Sequence, residues 1–352
     1  MLVLRKKIIL IALIIIGAVL LAGYLQFKQF IESPLIIQQD QARINVTSGS
    51  SLKRIARQLA EQGLITQPRL FEWYVRLQGN ANRIQAGEYI INKNTNPAQF
   101  LTMLTSGKVV QYSFTIIEGW TVKQLLTELA KQPMLTHTLT KADTNNLLSL
   151  LDIANDFPNA EGQLFPNTYN YVRDAKDSSI IKRAYQAMQK HLEEQWAQRD
   201  SGLPYKTSYE MLIMASIIEK ETGNKGEREK ISGVFVRRLR KGMRLQTDPT
   251  IIYGMGDKYK GNIRRRDLRA DNPYNTYTRA GLPPTPIAFP GLAAIKATLH
   301  PDNEKALYFV ARGDGGHVFS ATLTEHNEAV IKYQLKGRRK SFSSFPNKRN
   351  KK

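Results

Sequence analysis

The sequence predicts an α+β protein: a single N-terminal transmembrane helix, a small α+β module and a larger α+β domain. Two observations carry this. Residues 8 to 25, "IILIALIIIGAVLLAGYL", hold no charge, and a helix of that length crosses a bilayer core with little tilt. Beyond it, a pattern of short β-branched strand, glycine turn and capped amphipathic helix begins twice, near Arg43 and near Val109, and such mixed patterning describes α+β units. At 352 residues the chain exceeds one ordinary small core, so more than one folded unit is expected. The expected boundaries are a stub over 1–7, an anchor over 8–28, a linker over 29–42, a small module over 43–108, the larger domain over 109–336 and a tail over 337–352.

Arg5, Lys6 and Lys7 precede the apolar run and only Lys28 follows it closely. The positive-inside rule therefore keeps the N-terminus in the cytoplasm and places the remainder outside the inner membrane. A cleaved signal peptide is the competing reading, but its apolar region would be shorter and no small-x-small site follows. Cysteine is absent, which excludes disulfides, thiolate metal sites and a cysteine nucleophile. Five histidines without HExxH spacing predict no metal and no cofactor.

A net charge of +21 would ordinarily suggest nucleic acid. Outside the inner membrane, however, the available polyanions are lipid headgroups and wall polymers. Part of the charge lies in the tail "KGRRKSFSSFPNKRNKK", whose lack of core-forming residues predicts a disordered arm.

In the small module, "RINVTSGSSLKRIARQLAEQGLI" reads as a strand, a turn at Gly49 and a helix capped by Ser51. Its apolar stripe is Leu52, Ile55, Ala56 and Leu59. "RLFEWYVRLQG" and "PAQFLTMLTSG" give two further helices around the strand "GEYIINKN". In the larger domain, "VVQYSFTIIEGWTVKQLLTELAKQ" is a strand leading through Gly119 to a helix with a Thr121/Gln124 capping box. A helical stretch over 141–154 follows, then a turn-rich "EGQLFPNTYNY" and the long helix "SSIIKRAYQAMQKHLEEQWAQR".

"MASIIEKETG" ends an apolar run in two acids, Glu219 and Glu221. Thr207 with Glu210 signals a helix start and Gly223 a stop, predicting one helix over 208–222. At about 100° per residue the two acids point some 200° apart, so they cannot share a face. Glu219 borders the apolar side, and partial burial would give it the raised proton affinity a general acid needs. Two surface acids at a helix end fit the same three residues. Downstream, "GMRLQTDPTIIYG", "NPYNTYTRAGLPPTPIAFPG" and "GGHVFSATLTEHN" combine loop-forming Gly and Pro with hydroxyls, amides and aromatic rings, which suits a polar, sugar-contacting cleft. Gln246, Asp248, Tyr253, Asn275 and Tyr277 are the candidate substrate-binding residues, although Asp248 and Asn275 also fit turn capping. His317 and His326 read as loop or packing histidines.

The blocks "EGQLFPNTY", "ASIIEKETG", "VFVRRLRKGMRLQTDPTIIYGMG", "YNTYTRAGLPPTPI" and "GGHVFS" stand in the order and spacing of the YceG-like family. The chain closely resembles that family's endolytic murein transglycosylases over roughly Ile44 to Tyr333, and its opening strand and helix resemble a LysM module, whose known partner is peptidoglycan. The resemblance implies a membrane-anchored lyase that cuts nascent peptidoglycan strands internally between MurNAc and GlcNAc, leaving 1,6-anhydro-MurNAc ends. Glu219 matches the catalytic acid, and penicillin-binding proteins or other wall synthases become expected partners. Where the family commonly carries an acid after "LFP", this chain carries Asn167. One acid suffices for such chemistry, because the sugar's own C6 hydroxyl replaces water and the second carboxylate of ordinary glycosidases. Glu221 is then structural, with an arginine as expected partner. The rival readings are a noncatalytic wall-binding scaffold and a stem peptidase, and the latter lacks a nucleophile dyad or metal cluster in the sequence.

Overall fold

The computed structural model describes residues 2–153 and 157–335. The chain divides into two compact units, the first comprising 1–113, 134–136 and 170–175, and the second the remainder.

In the first unit, helix α1 (Leu2–Glu32) is long and apolar enough to cross a membrane. Strands β1 (Gln41–Val46) and β2 (Gly87–Asn92) pair antiparallel, from Gln41 opposite Asn92 to Val46 opposite Gly87. Helices α2 (Leu52–Glu61), α3 (Pro68–Leu77) and α4 (Pro97–Ser106) close a core around Ile44, Leu59, Phe71, Tyr89 and Phe100. Local chemistry explains the boundaries. The Ser51 side chain accepts from the Arg54 amide, and Asn96 with Gln99 forms a reciprocal capping box.

The stretch expected as a linker over 29–42 is part of this unit instead. α1 runs on to Glu32, Phe30 packs on the core, and Leu35 and Ile37 are buried. The Leu35 and Ile36 amides donate to the carbonyls of Thr95 and Leu64. Apolar side chains at 30, 35 and 37 outweigh the entropy of a free tether.

The chain passes between the units within β3 (Tyr112–Thr115), on either side of β4 (Leu135–Thr136), and within β5 (Thr168–Tyr171) and β6 (Ala175–Lys176). The second unit contains α5 (Val122–Leu129), the single turn α6 (Leu147–Leu150), α7 (Asp177–Ala197), α8 (Ser208–Glu221), α9 (Arg228–Arg240), α10 (Asp248–Met255) and α11 (Leu292–Leu299). A hairpin of β7 (Tyr308–Ala311) and β8 (His317–Ser320) and the helix α12 (Leu323–Tyr333) complete it. At its centre α8 packs against α7, α9, α10 and α11, and every residue from Met211 to Ile218 is buried. A helix apolar on all sides belongs inside a core. Within the buried stretch the Ser216 hydroxyl is satisfied, since its Oγ donates to the Ile213 carbonyl and accepts from the Ile287 amide.

Two stretches expected as loops are regular. Asp248–Met255 is a helix with its proline in the first turn, the one position where Pro's missing N–H costs nothing. His317–Tyr333 holds β8 and a helix opened by a Thr322/Glu325 capping box. The long segment before α11 has no regular structure, as its proline content dictates. The basic tail lies outside the described residues.

Candidate functional site

α8 emerges from the core at its C-terminal end, which is why an apolar run finishes in acids. The two carboxyls separate there as the helical angle requires. Glu219 points toward α9 and the start of α11: the Gly291 amide donates to its Oε2 at 3.0 Å, and Arg228 Nη2 lies 3.5 Å from its Oε1. The Glu219 side chain is only 7% exposed, and burial raises its proton affinity above the ordinary glutamate value. The Gly291 amide and Arg228 work in the opposite direction, while the charge of nearby Glu118 adds to the rise.

The scaffold beneath Glu219 comes from three distant segments. Ser216 holds Ile287. Gly119 donates to the Phe289 carbonyl and Phe289 to the Trp120 carbonyl. Lys220 Nζ reaches the Gly119 carbonyl at 3.2 Å. The "IIEGW" turn and the "IAFPG" segment are thus fastened to each other and to the last turns of α8.

Glu221 faces the other way. Its Oε1 accepts from Thr247 Oγ1 at 2.8 Å, and burial, opposed by Thr247 and aided by the charge of Asp248, pushes its pKa up to about 7. The arginine expected for Glu221 stands on Glu219 instead, because Arg228 begins α9 on the Glu219 side. Glu221 lines a cleft of about 670 Å³ with Arg238, Gln246, Asp248, Tyr277 and Tyr308. Tyr277 donates to Asp248 Oδ1 at 2.7 Å. Arg238 donates to the Leu245 carbonyl at 2.6 Å and to Gln246 Oε1 at 3.2 Å, and stacks over the Tyr308 ring. Gln246 itself sits at φ +55°, a left-handed conformation that costs a side-chain-bearing residue energy and concentrates at functional sites.

Three of the five expected substrate residues, Gln246, Asp248 and Tyr277, therefore share this cleft. The other two do not line it. Tyr253 donates to Glu161 Oε2 at 3.0 Å and packs edge-on against Tyr274. Asn275 is 2% exposed; its amide nitrogen serves the carbonyls of Asp267, Leu268 and Ala270, and its oxygen accepts from the Tyr277 amide. It braces the loop that presents Tyr277, which is the turn role an asparagine also fits. Asn167 bonds backbone amides only, its carbonyl accepting from Ile116 beside the paired strands β3 and β5 and its side chain from the next residue, Thr168.

Sequence reasoning did not single out Arg228, Arg238, Gly291 or Glu161. Glu161 is 4% exposed and holds the first amide of α5, Val122, at 3.1 Å. Burial raises its pKa to about 8, despite the hydrogen bonds from Tyr253, Val122 and Gly162. A carboxyl whose folded value exceeds the unfolded one binds its proton more tightly when folded. Its contribution to stability is complete below about pH 4.5 and is lost as pH rises toward 8. The wild-type melting temperature should fall over that interval, and Glu161→Gln should flatten the slope without abolishing it, since Glu221 titrates in the same sense. Parallel melting curves for the two proteins at pH 5 and pH 8 would show that Glu161 ionises in the folded state without cost.

The family model described as "YceG-like family" matches residues 44–332. An endolytic murein transglycosylase of Bacillus subtilis is 35% identical over 337 residues, covering 91% of each chain. One from Streptococcus pneumoniae is 28% identical over 88% of this chain and 62% of its own. A solved yceG-like protein from Listeria monocytogenes matches with a TM-score of 0.51 at 30% identity, over 82% of this chain and 98% of that one. With the family model spanning most of the chain and a relative matched nearly end to end, this chain belongs to the YceG-like family.

Proposed function

We infer that the protein is an endolytic murein transglycosylase that cleaves peptidoglycan strands between MurNAc and GlcNAc. The observation that carries the reading is the Glu219 carboxyl, nearly buried at the end of the core helix with its proton affinity raised, in a chain whose relatives bear that name.

Glu219 donates its proton to the glycosidic oxygen as the bond from C1 of MurNAc breaks. The C6 hydroxyl of the same sugar attacks C1, and Glu219, now a carboxylate, removes the hydroxyl proton. The new bond is the 1,6-anhydro bridge, and no water is consumed. The surroundings serve both halves of the cycle: burial keeps the acid protonated before transfer, and Arg228 with the Gly291 amide stabilises the charge afterwards. The substrate's N-acetyl group can assist at C1 from within. Gln246, Asp248 and Tyr277 would meet the strand in the cleft on the Glu221 side of the helix end, away from the bond that Glu219 cuts, with Tyr253 and Asn275 bracing the neighbouring loops.

α1 anchors the enzyme in the inner membrane with the N-terminus in the cytoplasm. The first unit is a LysM-like module and the second the catalytic domain. The orientation places the enzyme beside nascent strands and wall synthases. A reporter joined after Lys352 should be active only outside the inner membrane, and cytoplasmic activity would overturn both orientation and substrate.

The deciding experiment is mass analysis of purified peptidoglycan digested by the full chain in detergent. Internal cleavage with anhydro ends, one water lighter than hydrolytic ends, is expected. Glycan binding without cleavage would favour the noncatalytic scaffold.

A further inference from the structure

The turn that carries Glu118 is fastened beside the site. Its Gly119 amide and Trp120 carbonyl are paired with Phe289, and Lys220 holds the Gly119 carbonyl. Two residues beyond Phe289 stands Gly291, whose amide donates to Glu219. A Cβ built on Gly291 would fall 1.9 Å from Glu118 Oε1 and 2.4 Å from its Cδ. The Glu118 carboxylate therefore lies against the Cα of the same glycine whose amide binds Glu219. Covalent geometry puts the two carboxyls within about 7 Å of each other. The room that glycine leaves at 291 is taken by the end of the Glu118 side chain, and with φ at −75° no left-handed backbone calls for glycine there.

We propose that Glu118 is a positioning residue of the Glu219 site: its negative charge, laid over Gly291, keeps the transferable proton on Glu219 until the glycosidic oxygen takes it. This rests on the reading of Glu219 as the acid. The charged groups facing Glu219 are Arg228 from α9 and Glu118 from the turn before α5; the 287–291 segment offers only its Gly291 amide, and Lys220 is turned to the Gly119 carbonyl. Arg228 and the amide alone would favour ionised Glu219. A second carboxylate opposes them, and its repulsion agrees in sign with the raised proton affinity of Glu219. Glu118 is exposed, so its side chain can swing away once Glu219 is charged.

The test is the pH dependence of cleavage in the full-length protein. The alkaline limb of the rate profile reports loss of the proton from the acid. Glu118→Gln should move that limb to lower pH by about half a unit or more, so that on the alkaline side the rate falls roughly threefold with the melting temperature unchanged. Glu118→Asp keeps the charge and should remain closer to wild type than Gln. Gly291→Ala puts a methyl where the Glu118 carboxylate lies and should shift the limb in the same direction as Glu118→Gln. A carboxyl-detected NMR titration of Glu219 reads the same displacement without catalysis. If wild-type protein yields no anhydro ends, the assigned activity fails while the titration still judges Glu118. An alkaline limb and a Glu219 titration that both ignore Glu118→Gln overturn the proposal.

Discussion

Glu219→Gln is expected to lower release of 1,6-anhydro ends by a factor on the order of 10² or more. The amide keeps the size of the side chain and an oxygen for the Gly291 amide, but it has no proton to give and no charge to pair with Arg228. Glu221→Gln should cost much less. Glu221 accepts one hydrogen bond, from Thr247, and an amide oxygen accepts it as well. With a pKa pushed up to about 7, Glu221 is already partly protonated near neutrality, so a neutral replacement changes little. The comparison requires one glycan, one pH and melting temperatures for both variants, so that lost folding is not counted as lost chemistry. Near wild-type cleavage by Glu219→Gln, or abolition by Glu221→Gln alone, would assign the acid to the wrong carboxyl.

The second large effect concerns folding. Gly162 sits at φ +76°, and a Cβ there would fall 2.3 Å from Pro286 Cβ and 2.6 Å from its Cγ. A proline ring cannot rotate away, and the left-handed backbone already costs an alanine about 1–2 kcal/mol. Gly162→Ala should therefore destabilise the protein by about 3 kcal/mol or more, read as a lower denaturant midpoint. Gly261→Ala is the control, because Gly261 has φ +85° with nothing within 4 Å of the added Cβ. It should lose only the backbone cost, about 1–2 kcal/mol. Equal losses at the two positions would mean that the chain at Gly162 yields.

α8 was legible because its signals are local: a capping threonine, eight successive buried positions and a fixed angle per residue that sends Glu219 and Glu221 apart. The Ser51 helix and the Thr121 capping box were legible for the same reason. The surroundings of Glu219 were not, because they are assembled across the chain. Gly291 is 72 residues from Glu219, and the Glu118 turn arrives by backbone pairing with a proline-rich segment that has no periodicity to read. Arg228, within "GEREK", has the local composition of any solvated helix start. Asn275 shows the remaining difficulty: a carboxamide in a turn suits a sugar or its own backbone equally, and only burial decides. Pro249 and the glycines before His317 concealed regular structure, since a proline that opens a helix and one that breaks it look alike in sequence.

The absence of slack between α1 and the first unit governs reach. A disordered tether of fourteen residues spanning 29–42 would let its cargo wander over a root-mean-square distance of about 20 Å. Here the helix continues seven residues past Leu25, adding about 10 Å at 1.5 Å per residue, and the chain enters the core at once through Phe30 and Leu35. In the proposed orientation, the stand-off between bilayer and first unit is thus a ruler length rather than a statistical one. On that proposal, polymer emerging at that height would meet the unit at high local concentration, while polymer that has moved outward would pass beyond its range.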